Sequence, residues 1–149
     1  MVRDPSGATI GMWQPGQHEG IAVVAEPAAP AWFELWTLDF VTALAFYREV
    51  FGWTIHIVSD TDEFRYATLV SSKGEPQAGV MDATSFCPPG TPGQWSVYFA
   101  AEDVDATLEK AIQLGGKVVR EPEDTPHGRL AVATDSTGAS FKLTGPNKA

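Results

Sequence analysis

At 149 residues the chain has the length of one domain, and 44% hydrophobic against 19% charged residues exclude a disordered or solvating chain. Ten Lys+Arg against nineteen Asp+Glu leave a net charge of −9 with no basic cluster, which disfavours nucleic acid and anionic membrane surfaces as partners. No apolar run approaches the ~20 residues that span a bilayer, residues 1–11 lack the basic start and apolar core of a signal peptide, and one cysteine, Cys87, excludes an intrachain disulfide and a multi-cysteine metal site. The expectation is a soluble, cytoplasmic domain of mixed helix and strand.

The chain opens with Asp4-Pro5-Ser6-Gly7-Ala8-Thr9-Ile10-Gly11-Met12, which matches Asp135-Ser136-Thr137-Gly138-Ala139-Ser140-Phe141-Lys142-Leu143 at an offset of 131, with Pro15 on Pro146. Residues 1–26 therefore read as an N-terminal arm with an extra strand at 8–14, followed by a hinge at Pro27/Pro30. Two readings stay open. Either the arm resembles the last strand by chance, or its strand belongs to a second module, such as another protomer reached by arm exchange. The second predicts a homodimer with residues 1–16 on the partner and with Ile10 and Met12 facing a helix, because the extra strand needs an edge to pair with.

Residues 31–146 form one domain of two repeats, 31–83 and 95–146. Setting Trp32 on Trp95, a gapless offset of 63, brings together residues of like type over some twenty positions. The first repeat reads as strand 31–38, helix 40–51, then strands 53–59, 64–72 and 77–83. The helix is capped by Asp39, carries Phe40, Ala43, Leu44, Tyr47 and Phe51 at helical spacing, and stops at Gly52. A Pro/Gly linker, 84–94, separates the repeats. The second reads as strand 95–101, helix 104–114 capped by Asp103 and stopped by Gly115-Gly116, and strands 116–122, 128–134 and 139–145, with an acidic break at 121–127. Neither helix is long enough to stand alone, so each must lay its apolar stripe on a sheet.

A doubled β-α-β-β-β unit, the helix end Phe46-Tyr47-Arg48-Glu49-Val50-Phe51-Gly52-Trp53 and the closing Asp-x-x-Gly-x-x-Phe-x-Leu of 135–143 resemble the vicinal oxygen chelate superfamily, which includes glyoxalase I, extradiol dioxygenases and bleomycin-resistance proteins. The arm resembles the join between modules in proteins with two such domains. The resemblance implies an α+β fold: paired βαβββ units forming an open eight-stranded cup with two helices outside, here with an N-terminal extra strand, and completed by dimers or tandem modules. Fold transfers further than function in such a case.

Metal-dependent members of that superfamily carry His and Glu ligands at four inward strand positions. In this chain those positions fall on Trp32, on Gly79 or Met81, on Ser96 and on Lys142, which do not suit a first-row divalent cation. His18, His56 and His127 show no clamp spacing, so a metal would need Glu34, His56 and Asp82 from three different strands. The expectation is no metal and no cofactor.

Strand alternation sorts the remaining side chains. Trp32, Glu34 and Trp36 share one face, with Phe33 and Leu35 toward the helix; Ser96, Tyr98 and Ala100 share a face against Val97 and Phe99; Ser140, Lys142 and Thr144 do likewise. The candidate ligand-binding residues are therefore Trp32, Glu34, Trp36, His56, Met81, Ser96, Tyr98 and Lys142, an aromatic concavity with sparse polar groups. Tyr47 and Tyr66 read as core or surface residues, and Cys87 as inert. The tryptophans equally fit a plug in the cup or a subunit interface, and Glu34 fits a general base or a structural partner of Lys142. The reading that follows is a non-metal binding protein, similar to bleomycin-resistance proteins, that sequesters an aromatic or hydrophobic natural product. The alternative is a metal-dependent lyase or dioxygenase of the glyoxalase type.

Overall fold

A computed structural model describes residues 1–18 and 20–148. Their contacts divide them into two units: Met1–His18 with Phe33–Trp95, and 20–32 with 96–148. Ten strands and two helices occur in the order β1 (Val2–Arg3), β2 (Thr9–Ile10), β3 (Pro30–Thr37), α1 (Phe40–Phe51), β4 (Thr54–Asp60), β5 (Arg65–Val70), β6 (Pro76–Asp82), β7 (Gln94–Ala100), α2 (Val104–Gln113), β8 (Lys117–Thr125), β9 (Gly128–Thr134) and β10 (Ser140–Gly145). From β3 onward this is β-α-β-β-β twice, an α+β arrangement with eight strands in two sets of four. No helix among the described residues is long and apolar enough to cross a membrane.

In the first unit the strands lie in the order β4-β5-β6-β3, with β6 and β3 parallel and the other pairs antiparallel. Asp39 accepts the amide of Thr42, and Gly52 ends α1 in the left-handed region, so both caps are local and sequence-encoded. The helix buries Phe40, Ala43, Leu44 and Tyr47 against Leu35, Ala67, Leu69 and Val80. Each fully buried large side chain contributes about 1.5–3 kcal/mol, which is what holds so short a helix.

The second unit orders its strands β7-β10-β9-β8, with β7 and β10 parallel. Asp103 accepts the amide of Ala106, and Val104 and Leu108 pack on Ala131, Ala133 and Leu143. The caps Asp39 and Asp103 lie 64 residues apart, so the structural repeat is displaced by one from the gapless offset of 63. Leu35 and Phe99, both turned toward a helix, obey the offset of 64.

Two segments differ from expectation. The acidic run 121–125 is strand, not a break: β8 absorbs it through register shifts after Val118 and Arg120, and ion pairs of Arg129 with Asp124 and of Arg120 with Glu123 offset the charge. The hinge segment is locally folded. Residues 25–30 fold into a turn, with Ala25 donating to the carbonyl of Pro30 and Ala29 to that of Glu26. Ala25 and Ala28 hold φ of 60° and 67°, a conformation that costs a residue with a Cβ about 1–2 kcal/mol.

The arm reproduces the closing hairpin of the second unit bond for bond. Asp4 Oδ1 accepts from the Ser6 amide, the Ser6 hydroxyl and the Ala8 amide; Asp135 Oδ1 accepts from the Thr137 amide, the Thr137 hydroxyl and the Ala139 amide. Gly7 and Gly138 take φ of 90° and 91°, where glycine alone is unstrained. Val2 and Arg3 pair with Ile10 and Thr9 as Ala133 and Thr134 pair with Phe141 and Ser140. The extra strand is shorter than the expected 8–14, and it pairs with β1 of the same chain. Ala8 and Ile10 join the core of the first unit, while Met12 is 61% exposed.

Candidate functional site

In the first unit the backbone register builds a ladder on the face turned away from α1. One rung runs His56–Thr68–Gly79–Glu34 and the next runs Tyr66–Met81–Trp36, across β4, β5, β6 and β3. Glu34 is 4% exposed and its two oxygens are held separately. Oε1 accepts the indole N–H of Trp36 at 2.7 Å, and Oε2 accepts the Tyr66 hydroxyl at 3.2 Å. Both bonds hold the carboxyl, and the first orients the indole. Trp36 meets Phe86 edge-on, with ring centroids 4.9 Å apart, and Tyr66 stacks on Phe64 at 5.8 Å. The result is a bank of aromatic rings around one buried carboxyl.

Gly79 and Met81 both lie on this face, one in each rung, so either reading of the strand-four position leads to the same surface. His56 shares the face but not the neighbourhood. It is exposed and stands three strand spacings from Glu34, about 14 Å. Asp82 pairs with Thr37 and so points to the opposite face, where Arg65 reaches it at 3.4 Å. The set Glu34, His56 and Asp82 is therefore not assembled. Among the described residues no three His, Cys, Asp or Glu side chains lie close enough to hold an ion. The residues present do not fit a first-row metal centre.

In the second unit β10 turns Phe141 and Leu143 toward α2 and Lys142 to the other face. Lys142 pairs in register with Tyr98 on β7. Its side chain is 3% exposed, and its ammonium lies 4.7 Å from the centroid of the Tyr98 ring and donates to the Tyr98 hydroxyl at 3.4 Å. Alternation along β7 places Ser96 on the same face as Tyr98. Trp32, on β3, is half-buried and belongs to this unit. A concavity of about 880 Å³ opens on the other side, along the flank of α2, between Phe99, Lys110, Phe141 and Leu143. That concavity is an apolar groove of the helix layer and does not include Lys142.

Tyr66, read from sequence as core or surface, is a donor to Glu34, and Phe86, in the Pro/Gly linker, was not among the candidates. The signal for Tyr66 was its even spacing with Thr68 on a strand whose partner strand carries Gly79 and Met81. Phe86 lies outside any periodic element and carried no signal. Tyr47 is core, as read, but with a polar task. Its hydroxyl donates to Asp4 Oδ2 at 2.8 Å and accepts the indole N–H of Trp95 at 2.8 Å. Burial pushes the phenol well above its ordinary range; the Trp95 bond opposes that shift and the bond to Asp4 adds to it.

The sequence model of the Glyoxalase/Bleomycin resistance protein/Dioxygenase superfamily matches residues 29–143. A Mycobacterium tuberculosis protein named "Putative glyoxylase CFP32" is 40% identical over 146 residues, covering 97% of this chain and 54% of its own length. The anthracycline biosynthesis protein DauV of Streptomyces sp. is 38% identical over 145 residues, covering 94% of this chain and 50% of its own. The chain thus spans about half the length of these curated relatives. Among solved structures, methylmalonyl-CoA epimerase of Streptomyces coelicolor matches with a TM-score of 0.57 and 19% identity over 81% of this chain and 99% of the other, a likeness of fold alone.

Proposed function

Because the chain belongs to the glyoxalase/bleomycin resistance protein/dioxygenase superfamily, we propose that it is a binding protein that captures a planar aromatic or hydrophobic small molecule without metal chemistry. The observation that carries this reading is the buried Glu34 carboxyl holding the Trp36 indole, with Phe86 packed edge-on against that indole. A ring oriented in this way offers a flat surface to a flat ligand, and each stacked pair contributes about 0.5–1.5 kcal/mol beyond the area it buries. Capture needs shape and orientation rather than an acid, a base or an ion. The anthracycline biosynthesis relatives, 38% and 34% identical, agree with a polycyclic aromatic product as ligand.

Tryptophan fluorescence titration with a panel of planar polycyclic compounds tests the proposal, with Trp36→Phe as the reporter of site. Quenching that is saturable and lost in the variant supports it; no quenching by any compound refutes it. The mycobacterial relatives, named as glyoxylases, favour a second reading, a metal-dependent lyase or dioxygenase. Metal analysis of protein purified without chelator separates the two, since one equivalent of a divalent first-row ion would overturn the first.

A further inference from the structure

The seat that the arm fills on the first unit has an open counterpart on the second. In the first unit Ala8 and Ile10 of the arm pack into the cluster that holds Leu35, Ala43 and Phe46, and Pro92 lies beside Gly7. At the structural repeat of 64 residues, Leu35, Ala43, Phe46 and Pro92 become Phe99, Thr107, Lys110 and Ala28, and all four line the groove beside α2. Leu35 and Ala43 are fully buried, whereas Phe99 is half-buried and Thr107 exposed. By its likeness to the arm's seat, the groove fits an extended segment with apolar side chains two residues apart. The chain's own arm is tied to the first unit through the Tyr47 bond to Asp4. A different segment has the required pattern. Residues 21–25, Ile-Ala-Val-Val-Ala, are apolar and all exposed, with Ile21 at 59% and Val23 at 45%. Such a run on a surface marks an interaction site, its β-branched residues favour extended chain, and Ile21 and Val23 repeat the spacing of Ala8 and Ile10. The run enters the turn at 25–30, whose Pro27 and Ala28 form the rim of the groove. Segment and groove therefore adjoin on one unit, and two copies related by a two-fold axis can exchange them reciprocally. We propose that the second unit is a self-association surface, in which residues 21–24 of each copy lie in the α2 groove of the other.

Sedimentation velocity over a range of concentrations tests this on the intact chain. The expected result is a monomer–dimer equilibrium whose dissociation constant rises about tenfold or more for Val23→Lys and for Ala106→Glu, since each puts a charge into an apolar contact. Val23 and Ala106 are both exposed in the single chain, so both variants should keep the parent's far-UV circular dichroism. If Ala106→Glu does not, Lys110→Glu on the same flank of α2 replaces it. The double variant, Val23→Lys with Ala106→Glu, sets opposite charges across the contact and should dimerise more tightly than either single variant. A monomer at every concentration overturns the proposal, as does a dimer indifferent to both substitutions. Weakening in both single variants with no recovery in the double one overturns the pairing of segment with groove.

Discussion

Tyr47→Phe isolates the polar knot that joins the arm to the first unit. The phenol is fully buried, its hydroxyl donates to Asp4, which is 5% exposed, and it accepts from Trp95. Removing one oxygen deletes a hydrogen bond to a carboxyl group, about 1.5–3 kcal/mol, and one from a neutral indole, about 0.5–1.5 kcal/mol, and it leaves both partners short of a bond. The ring itself stays, with its packing against Phe51, Trp53 and Trp95. The expected loss is therefore about 2–4 kcal/mol, which for a chain of this size lowers Tm by about 6–12 °C. Urea unfolding followed by far-UV circular dichroism measures it, since the neighbouring tryptophans make fluorescence a biased probe. A variant within about 0.5 kcal/mol of the parent, at unchanged m value, would refute the assignment of this network as a structural tie.

Further outcomes follow from other features. Truncation of residues 1–10 strips Asp4, Ala8 and Ile10 from the first core and should lower Tm by ten degrees or more, on the order of several kcal/mol; a loss that depends on protein concentration would instead place the arm on a second copy. The Arg129 guanidinium, helped by Lys148, holds the Asp105 carboxyl at about 2. Its stabilising effect is complete above the ordinary carboxyl value near 4 and is lost as pH falls toward 2, so Asp105→Asn should flatten the Tm profile in that window, and an unchanged profile would count against the ion pair. Gly116→Ala would place a Cβ 2.5 Å from the Thr134 carbonyl and 2.8 Å from that of Ala111; the expected cost is about 1–3 kcal/mol by chemical unfolding.

Much of the fold was legible because its signals are local. Asp39, Asp103 and Gly52 act within four residues of themselves, and the faces of β3, β7 and β10 follow from alternation once the caps are placed. The repeat offset missed by one because matching residue types rewarded Trp32 on Trp95, whereas the structure aligns the caps. The site was legible in composition but not in distance. His56 has the right parity, yet parity carries no information on how many strands separate two residues, and β4 proved to be three strands from β3. Tyr66 lay hidden for the complementary reason: its partner Glu34 is 32 residues away and is met only through the register of β5, β6 and β3. The strand at 121–125 escaped notice because Glu123 is matched by Arg120 of the same strand and Asp124 by Arg129 of the facing strand, pairings that composition does not display.

The twin hairpins give the molecule an internal reference. The same turn, with the same bonds and the same glycine geometry, occurs once at the surface around Asp135 and once under tertiary cover around Asp4. Solvent, temperature, ionic strength and chain are identical for both, so the difference in amide exchange between Ala8 and Ala139 reads out how strongly tertiary cover, the Tyr47 bond to Asp4 included, protects a turn. A comparison that ordinarily requires two proteins is contained in one polypeptide.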